Sequence, residues 1–203
     1  MSQPVTQPYI AEKGFTLIEL MMAIVLVGIL LGIGVPSFQS MMMNSRMTGD
    51  YNALTASLNF ARSEAIKRSA PVSVCARATD DDTCGDDWSV GWLVFDDAGD
   101  TPGFIDDGEL VLKSALLDNA NMTVNNSARL NTGAATPVER PFVQFGPRGT
   151  ANWRGAGYFI FCDERGTTAA RIANISLAGS IRRGRKDGSG ALLNVFNEAA
   201  TCP

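Results

Sequence analysis

The sequence predicts an α+β fold: one long N-terminal helix, apolar in its first half and amphipathic in its second, packed on a mostly antiparallel sheet. Three observations predict it. No residue between Leu20 and Ser45 is charged, and the run is long enough to cross a bilayer, which takes ~20 apolar residues. Met43, Met47, Leu54, Leu58, Ala61 and Ala65 then recur at near-helical spacing, with Arg46, Asp50, Arg62 and Lys67 mostly elsewhere. Beyond Pro71, short β-rich runs alternate with turn residues.

In chain order, the ionisable groups ahead of the uncharged run are the N-terminal amine, Glu12, Lys13 and Glu19, and the first after it is Arg46. Lys13 and Arg46 balance across it, so the positive-inside rule sets no orientation. Gly28 and Gly32 form a GxxxG pair that lets helices approach closely. Pro36 removes one helix hydrogen bond and, with Gly32 and Gly34, marks a place where the helix can kink or melt. The helix is expected to run to about Ser69, because Pro71 biases the residue before it towards extended geometry. Strands are expected at 72–76, 88–95, 110–117, 141–145, 157–162, 171–177, 180–183 and 192–196. The chain after Met43 suffices for one hydrophobic core.

Cys75, Cys84, Cys162 and Cys202 all follow the apolar run, and an even number in a small exported domain favours disulfides over free thiols. Export places the bulk of the chain outside the cytosol. Four cysteines allow three connectivities. Closeness along the chain favours Cys75 with Cys84, and Cys162 with Cys202 follows by exclusion. Zinc is disfavoured because there is no CxxC spacing and no histidine.

Glu19 is the anomaly. A lone carboxylate in a membrane helix costs ~2.5–3.5 kcal/mol on insertion scales, so it should face a partner instead of lipid. An ordinary secretory signal would keep that stretch purely apolar and end at a small-x-small site, for which only Gly32-Ile33-Gly34 offers itself. The stretch GFTLIEL at 14–20 resembles instead the processing site of type IV prepilins and type II secretion pseudopilins. The resemblance implies a leader over 1–14, cleavage after Gly14, and Phe15 as the N-methylated new terminus. It also implies an assembly role for Glu19, Phe15 and Pro36, with Glu19 of one subunit meeting the Phe15 amine of the next. Residues 15–43 would be the transmembrane and assembly half of the helix, and 44–203 the periplasmic or extracellular globular domain. The alternative for Glu19 is a site near the headgroups, protonated or paired with its own amine.

Two later stretches extend the resemblance over nearly the whole chain. LNFARSEAIKRSAPVSVC (58–75) and WSVGWLVFDDAGD (88–100) are similar to the GspH/FimT group of minor pilins and pseudopilins, as are the later G-x-x-x-F-C and ISLAGSIR segments. The implied fold is the type IV pilin fold, and the implied function is a minor type IV pilin of FimU/FimT type. The alternatives are a GspH-like pseudopilin of type II secretion and a pilus receptor for DNA uptake. Implied partners are major and minor pilins packing through the N-terminal helix, the prepilin peptidase, the inner-membrane assembly platform, and membrane lipid before assembly. The implied location is the bacterial inner membrane with the globular domain periplasmic, then the pilus at the cell surface.

Other constellations carry less. DDAGDTPGFIDDGE (96–109) clusters acids as a calcium loop does, but it lacks the EF-hand frame and equally suits an Asp- and Gly-rich turn. Arg182, Arg183, Arg185 and Lys186 crowd together in a chain of net charge −4. They are the candidate DNA contacts, and four phosphate contacts would give a salt slope near ~−3.6. Neither register completes the Gly-Arg-x-Arg motif of DNA-binding FimT-like pilins, and the acidic remainder opposes a polyanion. With no histidine, Ser-His and Cys-His nucleophile pairs are excluded, and no catalytic residue, metal or cofactor is expected.

Overall fold

A computed structural model of the chain describes residues 14–79, 82–117, 122–128, 138–151 and 157–202. The leader expected over 1–14 therefore lies, up to Lys13, outside the described residues. The chain divides into two compact units at Met43 and Asn44.

Helix α1 (Leu17–Arg68) is continuous through Pro36. One missing donor is thus absorbed without ending the helix, and the hydroxyl of Ser40 donates to the Pro36 carbonyl at 3.1 Å. The C-terminal end closes by two reverse bonds, Ser69 N to Ile66 O and Ala70 N to Ala65 O, both 3.3 Å. That is the Schellman pattern, with Ser69 in the left-handed region (φ 53) where glycine is usual. Pro71 follows, so the helix cannot resume.

The first sheet contains β1 (Val72–Arg77), β2 (Cys84–Gly85), β3 (Gly91–Asp96), β4 (Val111–Leu116) and β7 (Phe142–Phe145). It runs β2-β1-β3-β4, with β7 also paired to β1. The second contains β5 (Thr123–Ala128), β6 (Val138–Glu139), β8 (Gly157–Cys162), β9 (Arg171–Ile175) and β10 (Ile181–Arg183), in the order β10-β9-β8-β5-β6. A hairpin of β11 (Arg185–Lys186) and β12 (Leu192–Leu193) stands beside it. Among the described residues every strand pairing is antiparallel.

Several strands differ from expectation. Trp88–Val90 form a turn, because Asp87 draws the Ser89 and Val90 amides back onto itself. The last strand stops at Leu193, because the Asn194 side chain accepts the amides of Phe196 and Glu198 at 2.9 and 3.1 Å. The strands β2, β5, β6 and β11 were not expected.

The core lies where α1 meets both sheets. Met47, Tyr51, Leu54, Leu58, Ala61 and Ala65 are buried at alternating steps of four and three, one continuous helix stripe. They pack against Val72, Val74, Trp92 and Val94 of the first sheet and Phe159, Phe161, Ala173 and Ile175 of the second. Tyr51 joins the expected stripe and meets the Phe161 ring edge-on, centroids 5.9 Å apart. Behind the second sheet, Ile160, Cys162, Ile172 and Leu192 are covered by Ala200 and Cys202 of the C-terminal tail. Behind the first, Cys75, Leu93, Phe95 and Phe142 pack under Ile105.

Disulfides Cys75–Cys84 and Cys162–Cys202 close separations of 9 and 40 residues. On the chain-entropy model the longer loop contributes ~4 kcal/mol and the shorter ~3 kcal/mol. The longer one also holds the tail against the second sheet, where it would otherwise fray.

Candidate functional site

The N-terminal segment begins with Gly14, Phe15 and Thr16, which precede the helix. Thr16 caps it: the Thr16 hydroxyl accepts the Glu19 amide at 3.3 Å, and its carbonyl accepts the Leu20 amide at 3.2 Å. Thr16-Leu17-Ile18-Glu19 has the T-x-x-E spacing of a capping box, a signal in plain sight that the membrane problem of Glu19 overshadows. Glu19 thus sits in the first turn, at the positive end of the helix dipole, where a carboxylate is favoured.

The Gly14–Phe15 peptide bond lies in exposed, non-helical backbone, and Phe15 is 83% exposed. Hydrolysis there would leave the Phe15 amine one residue before the cap and four before Glu19. The structure therefore brings Gly14, Phe15 and Glu19 to one end of α1, while Pro36 stands far along it.

From Leu17 to Phe38 the apolar side chains of α1 are all exposed, and the helix is long and apolar enough to cross a membrane. Added side-chain atoms at Gly28 and Gly32 would meet nothing within 4 Å, so the GxxxG face is open.

The basic cluster forms a separate site. Arg182 and Arg183 lie on β10, Arg185 and Lys186 on β11, all exposed, and none is in an ion pair among the described residues. The three arginines line a cleft of about 570 Å³ with Leu193, Val195 and Asn197. Nearby Arg171 has its guanidinium pKa lowered, first by burial and then by the charge of Arg183.

In the acidic 96–109 segment three carboxylates, those of Asp97, Asp106 and Glu109, accept backbone amides of the same segment. Asp97, 2% exposed, accepts the Ser73 hydroxyl, the Gln144 amide at 2.6 Å and the Gly103 amide at 3.0 Å. Burial nevertheless raises its pKa, with those hydrogen bonds opposing the shift. Asp106 accepts Thr101 N at 2.9 Å, and Glu109 accepts Gly99 N and Asp106 N at 2.7 and 2.9 Å. Among the described residues no group of His, Cys, Asp or Glu is arranged to hold a metal.

The sequence model of the family described as type II transport protein GspH matches residues 50–180, and that of the prokaryotic N-terminal methylation motif matches 11–35. The fold resembles a crystal structure of the Pseudomonas aeruginosa (strain PAO1) type IV minor pilin FimU, with TM-score 0.51 and 21% identity over 71% of this chain and 92% of that one. A second crystal form of FimU aligns with TM-score 0.48 and 22% identity over 68% and 92% of the two chains. No curated protein matches the chain.

Proposed function

The chain belongs to the family of the type II transport protein GspH and has the type IV pilin fold, and from that premise we propose that it is a minor type IV pilin, a structural and assembly-initiating subunit of a filament or its tip complex. The observation that carries the reading is the exposed Gly14–Phe15 bond in GFTLIEL, placed directly before a capped helix whose apolar side chains from Leu17 to Phe38 are exposed.

In this reading residues 1–14 are the leader, which the prepilin peptidase removes after Gly14. Phe15 becomes the methylated N-terminus, 15–43 holds the protein in the inner membrane, and 44–203 stands in the periplasm until assembly. A carboxylate in hydrocarbon is costly, and a cation beside it offsets that cost. Cleavage supplies the cation. In a staggered helix array the Phe15 amine of one subunit meets Glu19 of its neighbour, while the open Gly28 and Gly32 face admits close packing with other pilins. Assembly thereby relieves the cost that insertion imposes, on a platform in the inner membrane. The chain performs no chemistry of its own in this role.

The second reading, a pseudopilin of type II secretion, has only the family's description on its side. Deleting the gene separates the two: loss of pili with normal secretion supports the pilin, and the reverse supports the pseudopilin. The pairing role is tested by Glu19→Val, which should leave insertion and cleavage intact and stop incorporation. Normal incorporation of the variant would reject it.

A further inference from the structure

Strand β5 carries a polar residue where the core asks for an apolar one. Val124, Asn126 and Ala128 share its buried face, and Asn126 is 2% exposed. Neither Oδ1 nor Nδ2 of the Asn126 side chain has a hydrogen-bond partner among the described residues, although its backbone carbonyl accepts the Arg140 amide at 2.9 Å. A buried amide with both ends unpaired is costly, so its retention in a folded chain calls for a cause.

Asn126 lines a cavity of about 240 Å³, at the place where the chain crosses from β6 of the second sheet to β7 of the first. Hydrogen bonds tie its walls together: Trp88 Nε1 donates to the Arg140 carbonyl at 2.7 Å, the Val124 amide to the Ser89 hydroxyl at 3.0 Å, and the Ala76 amide to the Pro141 carbonyl at 3.0 Å. The cavity is thus preorganised, which lowers the ordering cost of filling it. Its rim carries Asp86, Asp87 and Glu139, all exposed and none in an ion pair among the described residues, against one basic lining residue, Arg140. These carboxylates are not arranged to hold a metal, so the cation they suit is organic.

We propose that the cavity takes an arginine-bearing extended segment of a neighbouring subunit of a different kind. A peptide unit of that segment donates its N–H to Asn126 Oδ1 and accepts from Nδ2, while the guanidinium meets Asp86, Asp87 and Glu139. A side-chain amide needs a donor and an acceptor side by side, and a peptide unit supplies both. Three separate carboxylates suit the forked donors of arginine better than the point charge of lysine. The cavity is smaller than the ~300–1,000 Å³ of pockets for whole small molecules, so it suits one residue of a chain and not a cofactor. The source of the segment rests on the filament reading, in which a minor subunit is flanked by other pilins.

The test titrates the full chain, isotopically labelled in detergent micelles at low ionic strength, with the acetylated and amidated peptide Gly-Gly-Arg-Gly-Gly. The side-chain amide of Asn126 and the indole of Trp88 are followed by NMR, and both should shift saturably and return as salt is added. Asp86→Asn together with Glu139→Gln should weaken binding about tenfold. Both side chains are exposed, and Glu139→Gln keeps the oxygen that accepts the Asn125 side chain. Asn126→Val should abolish binding yet raise the melting temperature of the unliganded chain, because it removes two unpaired buried atoms. The proposal is overturned if no saturable shift occurs, or if the peptide with Glu in place of Arg, or methylguanidinium alone, shifts Asn126 as strongly. It is overturned equally by unchanged affinity in the charge-neutral variant, by a lowered melting temperature of Asn126→Val, or by self-association of the chain at this cavity in place of peptide binding. Any of these leaves the N-terminal reading standing, because that reading is judged by the mature terminus.

Discussion

The guanidinium of Arg62 donates from Nε to the Gly149 carbonyl at 2.8 Å, across 87 residues of sequence. Its Nη2 reaches the Ala178 carbonyl at 3.2 Å, so one side chain of α1 ties down the turn after β7 and the turn between β9 and β10. Those turns touch: a side-chain carbon at Gly179 would fall 2.0 Å from the Gly149 carbonyl oxygen.

Arg62→Ala should therefore destabilise the protein by about 2 kcal/mol, the range for hydrogen bonds to a charged group. Arg62→Lys should recover little, because an ammonium lacks the planar fork that reaches both carbonyls. Denaturant unfolding of the two variants checks this, and the contrary result is an Arg62→Lys variant as stable as the parent protein.

Ser69 closes the Schellman end of α1 at φ 53, a conformation that costs a residue with a side chain but not glycine. Ser69→Gly should raise stability by about 0.5–1 kcal/mol. A lower melting temperature would show that Ser69 contributes something beyond its backbone.

Stability against pH should carry two opposing slopes. Hydrogen bonds from Arg68 and then Lys67 hold the Glu64 carboxyl below its ordinary range, and Arg165 does the same for Asp163. A depressed folded-state pKa contributes stability above the unfolded value, and that stability is lost as pH falls through the folded value. Asp97 has the opposite sign, because burial raises its pKa: the folded state holds the proton more tightly, so stability falls as pH rises from the ordinary carboxylate range to the raised value. Glu64→Gln should flatten the acid side of the curve. Asp97→Asn should flatten the other slope, and unfolding midpoints measured from acid to neutral pH read both.

The long helix was legible because its two halves have distinct signatures, an uncharged run and then a stripe from Met47 to Ala65. Strands β1, β3 and β8 were legible because VSVCA, WLVF and YFIF are apolar and β-branched or aromatic. Strand β5 (TVNNSA) was not, since Asn126 occupies a buried position that alternation assigns to an apolar residue. Two-residue strands such as β2, β6 and β11 are too short to show any period. The tie from Arg62 was invisible for another reason: its partners are backbone carbonyls 87 and 116 residues away, and a carbonyl has no sequence signature. In the 96–109 loop the clustered acids were evident, but only coordinates separate those turned onto the backbone from Asp100 and Asp107, which face solvent.

The most direct test is intact-mass and terminal-fragment mass spectrometry of the polypeptide recovered from membranes or filaments of its native host. A chain starting at Phe15 with a methylated amine is the result predicted by the proposed pairing of that amine with Glu19 of a neighbouring subunit. A chain that keeps Gly14, or begins beyond Glu19, would contradict it.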